Sequence, residues 1–191
     1  DMPSLLAFHN KVRDNDFTHY GASPTIVASP SQLITGVVVD ADSGEPLANT
    51  KIVISRVGKS TWRSDAIAAS TDPAGRFQLT GAPLGGGHVV EVRPELDQPY
   101  FKTHLELPAS SASTPLQCRF ELPRTKWIVG RVTDEQGDPL EATLNYYPYR
   151  DNKYAEKYSN FEQRIMGHAP DYETKSGPDG RFRIRAIAGP A

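Results

Sequence analysis

The sequence predicts an all-β protein built as two β-sandwiches in tandem, the second one incomplete, and three observations predict it. Residues 36–47 read GVVVDADSGEPL, and residues 130–140 read GRVTDEQGDPL, the same run shortened by one residue in its turn. Thr71-Asp72-Pro73-Ala74-Gly75-Arg76-Phe77 is matched position for position by Ser176-Gly177-Pro178-Asp179-Gly180-Arg181-Phe182. Around these landmarks, short runs of β-branched and aromatic residues alternate with Gly, Pro, Asp and Ser, the compositions of strands and of turns. An internal repeat outranks a single motif as a guide to architecture, and an offset of roughly ninety residues sets the unit size.

Residues 1–31 read as a lead-in. Leu5, Phe8 and Val12 share one side of a short helix with Ser4 as its N-cap, and Asn10, Asp14, Asn15 and Asp16 weaken it. Residues 32–123 form the first unit. Val37, Val38 and Val39 open it as a strand, the Asp-Ser-Gly run turns the chain as a hairpin, and residues 50–57 return as the partner strand. Residues 66–71 are a weak third strand. Residues 76–80 follow, with Phe77 and Leu79 on one face, then residues 89–93 with Val90 and Val92 together, then 100–107. The last strand, 116–122, points Leu116, Cys118, Phe120 and Leu122 inward, which makes seven short strands and a sandwich. Residues 124–191 repeat the opening strands and carry an insert at 149–173 rich in Tyr, Asn and charge. Ala191 aligns with Gly86, so counterparts of the first unit's last three strands are expected from a continuation of the chain or from elsewhere.

Composition narrows the functional classes. The 191 residues are 38% hydrophobic and 23% charged, as in a folded globular protein, and the net charge of −2 argues against nucleic acid as the main partner. No apolar run reaches transmembrane length, and the first residues lack the basic start and apolar core of a signal peptide. The start at Asp1 suggests a processed or excised segment. A single cysteine, Cys118, makes no intrachain disulfide and no zinc site, and on the inward face of its strand it reads as a small buried hydrophobe.

The pattern G-x-V-x-D-x-x-G-x-P-L, followed by D-x-x-G-R-F-x-L, resembles the carboxypeptidase regulatory-like domain, a transthyretin-like (Greek-key, Ig-like) seven-stranded sandwich. The likeness covers about 34–122 and, incompletely, 127–191. It implies an accessory module, often in tandem, in secreted or envelope-associated proteins, with no catalytic residues of its own. The second unit also resembles the core of the intradiol ring-cleaving dioxygenases in the order of residues 130–140, the Tyr-bearing insert and Asp179-Gly180-Arg181-Phe182. That likeness implies a ferric site of two tyrosines and two histidines, with Tyr154, Tyr158 and His168 as candidates by neighbourhood.

Four groups of side chains are candidates for a site. Asp40, Asp42 and Glu45 place three carboxylates near one turn, but turn chemistry accounts for the same residues and is preferred over calcium. Arg181, Arg183 and Arg185 alternate with Phe182, Ile184 and Ala186, so one strand face would show three guanidinium groups to an anionic glycan or acidic partner, or to acids of a neighbouring strand. Tyr149, Tyr154 and Tyr158, with Tyr146, Tyr147 and Phe161, form the densest aromatic cluster and could stack carbohydrate or peptide, or cap the core. Trp62 and Trp127 are expected to be buried near strand ends. His9, His19, His88, His104 and His168 show no paired metal spacing. The sequence therefore predicts a non-catalytic structural or binding module of a larger extracytoplasmic protein, needing no cofactor. Its expected partners are other domains of the same polypeptide, a protein or a carbohydrate, with no nucleic acid and no membrane span.

Overall fold

The structure, a computed structural model, describes residues 8–12, 15–19, 31–58, 65–85, 87–108, 114–148, 152–158 and 173–189. Asp1–Pro30 and Ser31–Ala191 are two compact units. In the first, β1 (Phe8–Val12) and β2 (Asn15–His19) pair antiparallel from Phe8↔His19 to Val12↔Asn15. The expected helix is replaced by this hairpin. Asn and Asp side chains compete with a helical backbone, whereas Phe8, Val12, Phe17 and Thr18 favour extended chain.

The second unit opens with a seven-stranded sandwich, as the sequence predicts. One sheet has the order β6-β3-β9, from β3 (Ser31–Asp40), β6 (Arg76–Pro83) and β9 (Leu116–Leu122). The other has the order β5-β4-β7-β8, from β4 (Lys51–Arg56), β5 (Ala68–Ser70), β7 (Val89–Arg93) and β8 (Thr103–Glu106). Ile34, Val38, Phe77, Leu79, Phe120 and Leu122 pack from the first sheet against Ile52, Ile54, Val90 and Val92 from the second. Alternation within strands thus predicted the inward faces correctly.

One pairing differs from expectation. β3 does not return on β4; its neighbours are β6, antiparallel, and β9, parallel from Ile34↔Leu116 to Asp40↔Leu122. The loop after Asp40 is a crossing between sheets, held to β3 by a single bridge, Val39↔Pro46. Pro46 has no N–H to extend a ladder, so the hairpin stops there and the chain passes to the opposite layer.

Residues 126–186 repeat this plan. β10 (Lys126–Arg131) pairs antiparallel with β13 (Arg181–Ala186), and β11 (Thr143–Asn145) with β12 (Glu173–Lys175), as β3 pairs with β6 and β4 with β5. A second, smaller core joins Tyr146, Ala155, Ile184, Ala186 and Ile187 to Phe101, which comes from the first sandwich. Its Tyr146 hydroxyl accepts the Ile187 N–H at 3.2 Å.

The repeated glycines have a packing reason. A Cβ on Gly36 would lie 2.6 Å from the Phe77 ring and 2.4 Å from the Cys118 carbonyl oxygen, and one on Gly130 would lie 2.7 Å from the Phe182 ring. A ring can yield where a backbone oxygen cannot. Gly36→Ala is therefore expected to cost about 3 kcal/mol and Gly130→Ala about 1 kcal/mol, measured by denaturant unfolding. Equal losses would show that the ring contact alone sets the cost.

Candidate functional site

Both copies of the repeated loop are closed by the same hydrogen bonds. The Val38 N–H donates to the Gly75 carbonyl at 2.8 Å and the Leu47 N–H to the Val38 carbonyl at 2.9 Å; Val132, Gly180 and Leu140 do the same at 2.8 and 3.0 Å. A hydroxyl clamps each loop from beneath. Thr71 donates to the Leu47 carbonyl at 2.6 Å and accepts the Thr50 N–H at 2.9 Å, and Ser176 donates to the Leu140 carbonyl at 2.7 Å and accepts the Ala142 N–H at 2.8 Å. The position-for-position match of Thr71 with Ser176 carried this signal. Thr71→Val is expected to cost about 2 kcal/mol, because the buried Thr50 N–H loses its acceptor, with a thermal melt as the measurement.

Asp40 adds a second set of contacts. Its Oδ1 accepts the Asp42 and Ser43 N–H groups at 2.9 and 2.8 Å, while its Oδ2 accepts the Tyr100 hydroxyl at 2.6 Å and the Arg124 Nε–H at 2.9 Å. Burial alone would raise the carboxyl's pKa. The hydrogen bonds from Tyr100, Ser43, Arg124 and Asp42 outweigh burial and hold it well below the usual carboxylate range. Burial, followed by the bond to Asp40, pushes the Tyr100 hydroxyl up to about 12. A cation at this turn would have to displace four donors from Asp40, so the turn reading fits the geometry. The copy is simpler. Asp134 accepts the Gln136 and Asp138 N–H groups at 3.0 and 2.8 Å.

The arginine row divides. Arg181 and Arg183 are exposed on β13, but Arg185 is only 3% exposed and does not belong to the expected open face. It donates to the carbonyls of Tyr100 and, at 3.3 Å, Glu95, both in the first sandwich. The neighbouring strand supplies no acids: opposite Arg181, Arg183 and Arg185 stand Arg131, Val129 and Trp127. The Arg183 guanidinium lies 4.1 Å from the centre of the half-buried Trp127 ring, a cation–π contact. A cleft of about 360 Å³ opens beside them, lined also by Leu96, Glu173 and Lys175.

The tyrosines divide as well. Tyr158 donates to the Arg124 carbonyl at 2.9 Å and meets Phe101 edge to face at 5.5 Å, so it packs the junction between the halves. Tyr146 is buried. Tyr147 and Tyr154 are exposed, the latter with the Lys153 ammonium 5.2 Å from its ring centre. Tyr149, Phe161, Trp62 and His168 lie outside the described residues. His88 is a core histidine: its Nδ1 accepts the Gly58 N–H at 3.0 Å, and its Nε2 lies 3.0 Å from the Pro83 carbonyl. Cys118 is buried, and burial pushes its thiol up to about 11, away from the reactive thiolate. Among the described residues no three His, Cys, Asp or Glu side chains cluster to hold a metal, and no helix is long and apolar enough to cross a membrane. Nothing in the local sequence announced Tyr100, Phe101 and Arg124, whose partners lie far along the chain.

No protein-family model matches the chain, and no curated protein does. Among solved structures it is similar to a streptococcal ancillary pilin, at 14% identity over 90% of this chain and 57% of that one, with a TM-score of 0.33. It is also similar to the Bacillus anthracis TIE protein, at 11% identity over 90% of this chain and 30% of that one, with a TM-score of 0.37. The shaft pilin SpaA from Lactobacillus rhamnosus GG matches at 12% identity over 85% of this chain and 84% of that one, with a TM-score of 0.33.

Proposed function

We propose that this chain is a non-catalytic structural and binding module of a larger extracytoplasmic protein. One observation carries the reading: among the described residues, the polar side chains at the repeated loops and at the junction between the halves are committed to holding the fold. Asp40 is saturated by four donors, Thr71 and Ser176 clamp loops, Tyr158 closes the junction, and Arg185 ties the second half to the first. A catalytic group needs an open approach for substrate, and Asp40, Thr71, Ser176 and Arg185 are buried. Of the described arginines and tyrosines singled out above, Arg181, Arg183, Tyr147 and Tyr154 are exposed and suit contact with an acidic or carbohydrate surface.

The test is a turnover assay of the full chain with ester, peptide and catechol substrates, with and without ferric iron. No turnover and no tyrosinate-to-iron colour are expected. An enzymic rate on any of them overturns the reading. On a glycan array, Tyr154→Ala is expected to weaken any binding found without shifting the melting temperature, because that ring stands outside both cores.

A further inference from the structure

We infer that the outer face of the sheet β6-β3-β9 is a binding trough for an acidic oligosaccharide, a chain of uronic-acid sugars. Every residue that lines it belongs to the seven-stranded first sandwich, where strands flank β3 on both sides. Ile34, Val38, Phe77, Leu79, Cys118 and Phe120 point into the core, so alternation turns Thr35, Val37, Arg76, Gln78, Gln117 and Arg119 outward. Register sets the outward residues in two rows. Val37 stands between Arg76 and Arg119, and Thr35 between Gln78 and Gln117.

Side-chain length shapes the trough. Thr35, Gly36 and Val37 make a low floor, and longer side chains rise from β6 and β9, whose backbones lie about 10 Å apart across β3. The space is about 730 Å³, within the roughly 300–1,000 Å³ of ligand sites. The second half lacks such a floor, because Arg131 takes the place of Val37, opposite Arg181.

Chemistry selects the occupant. Among the described residues, the Gln78 and Gln117 amides, the Thr35 hydroxyl and the Arg76 guanidinium are exposed or half-buried and make no hydrogen bond or ion pair. Two carboxylates border the trough, and both are engaged. Asp72 Oδ1 accepts the Ala74 and Arg76 N–H groups at 2.9 and 2.8 Å, and Glu121 accepts the Arg119 Nε–H at 2.7 Å. Arg76 is thus open to a carboxylate of the ligand. Each carboxamide offers donors and an acceptor, as sugar hydroxyls require, and the Val37 methyl groups suit the apolar C–H face of a pyranose ring. An extended peptide fits this face less well. From Ile34 to Val37, β3 is paired on both edges and keeps no main-chain group for strand addition.

The probe is tetragalacturonate, with its fully methyl-esterified form as the uncharged control, titrated into the full chain and followed by heteronuclear NMR. Saturable shifts are expected in the amides of residues 35–37, 76–78 and 117–119 and in the side-chain amides of Gln78 and Gln117. The ester is expected to bind about tenfold more weakly, and Arg76→Gln to bring the acid down to the level of the ester. Val37→Met, which fills the floor without adding charge, is expected to weaken both about tenfold. Melting curves report that the two variants fold. Absence of saturable binding at millimolar tetragalacturonate overturns the inference. So does binding indifferent to both Arg76→Gln and Val37→Met, or shifts that gather at Arg181 and Arg183 instead. Equal binding of a capped tetraglutamate assigns the face to acidic peptide and overturns it too. The inference rests on the reading of the chain as a binding module, yet the two fail separately: none of these results bears on turnover, which decides that reading.

Discussion

Alanine in place of Asp40 is expected to lower the unfolding free energy by about 3 kcal/mol at neutral pH, since it strips an ionised acceptor from the buried Tyr100 hydroxyl and from two turn amides. Alanine in place of Asp134 is expected to cost only about 1 kcal/mol, because that carboxylate holds two amides on an open turn. Guanidinium denaturation of the two variants checks the contrast. The same site makes stability depend on pH in two windows. The folded Asp40 carboxyl sits well below its unfolded value of about 3.9, so its contribution is whole above that value and is lost as pH falls toward the folded pKa. Tyr100 has the opposite sense. Its folded pKa of about 12 stands above the unfolded value of about 10, so stability falls as pH rises between the two. In Asp40→Asn the acid-limb loss should shrink; an unchanged acid limb would place the titrating group elsewhere.

How far the sequence reveals this molecule depends on the distance over which each feature is decided. Gly36, Pro46, Gly75 and Phe77 recur as Gly130, Pro139, Gly180 and Phe182 because each copy needs a glycine under a ring and a proline to end the bridge. Those needs lie within one loop and the strand beside it, so they appear as spelling. Strand partnership is decided further away. The period of two placed Phe77, Leu79, Phe120 and Leu122 inward correctly, yet it says nothing about whether β3 meets β4 or β9. The fate of Arg185 is of the same kind. Its counterpart by the repeat, Thr80, is exposed. Alternation therefore put Arg185 on an open face, and only the folded chain brings the Tyr100 carbonyl against it. The Asp40 contacts with Tyr100 and Arg124 span 60 and 84 residues, beyond the reach of any local pattern.

Arg185→Leu is expected to cost about 3 kcal/mol, whereas Arg181→Leu and Arg183→Leu should leave the melting temperature nearly unchanged, because charged donors to buried carbonyls contribute more than exposed side chains. Leucine keeps most of the bulk, so the loss reports the hydrogen bonds to Tyr100 and Glu95 rather than a cavity. Arg185→Lys should recover little, since one ammonium on a flexible stem does not reproduce a planar fork reaching two carbonyls. The tie also couples two distant elements of the chain. Tyr100 donates its hydroxyl to Asp40 and accepts from Arg185 at its carbonyl, so one residue stands between the repeated loop of the first sandwich and β13. The double variant Asp40→Ala with Arg185→Leu should therefore lose less than the sum of the single losses, by about 1 kcal/mol, because either change already frees Tyr100. Strict additivity within about 0.5 kcal/mol would show that the two ties act independently and that Tyr100 transmits nothing between the halves.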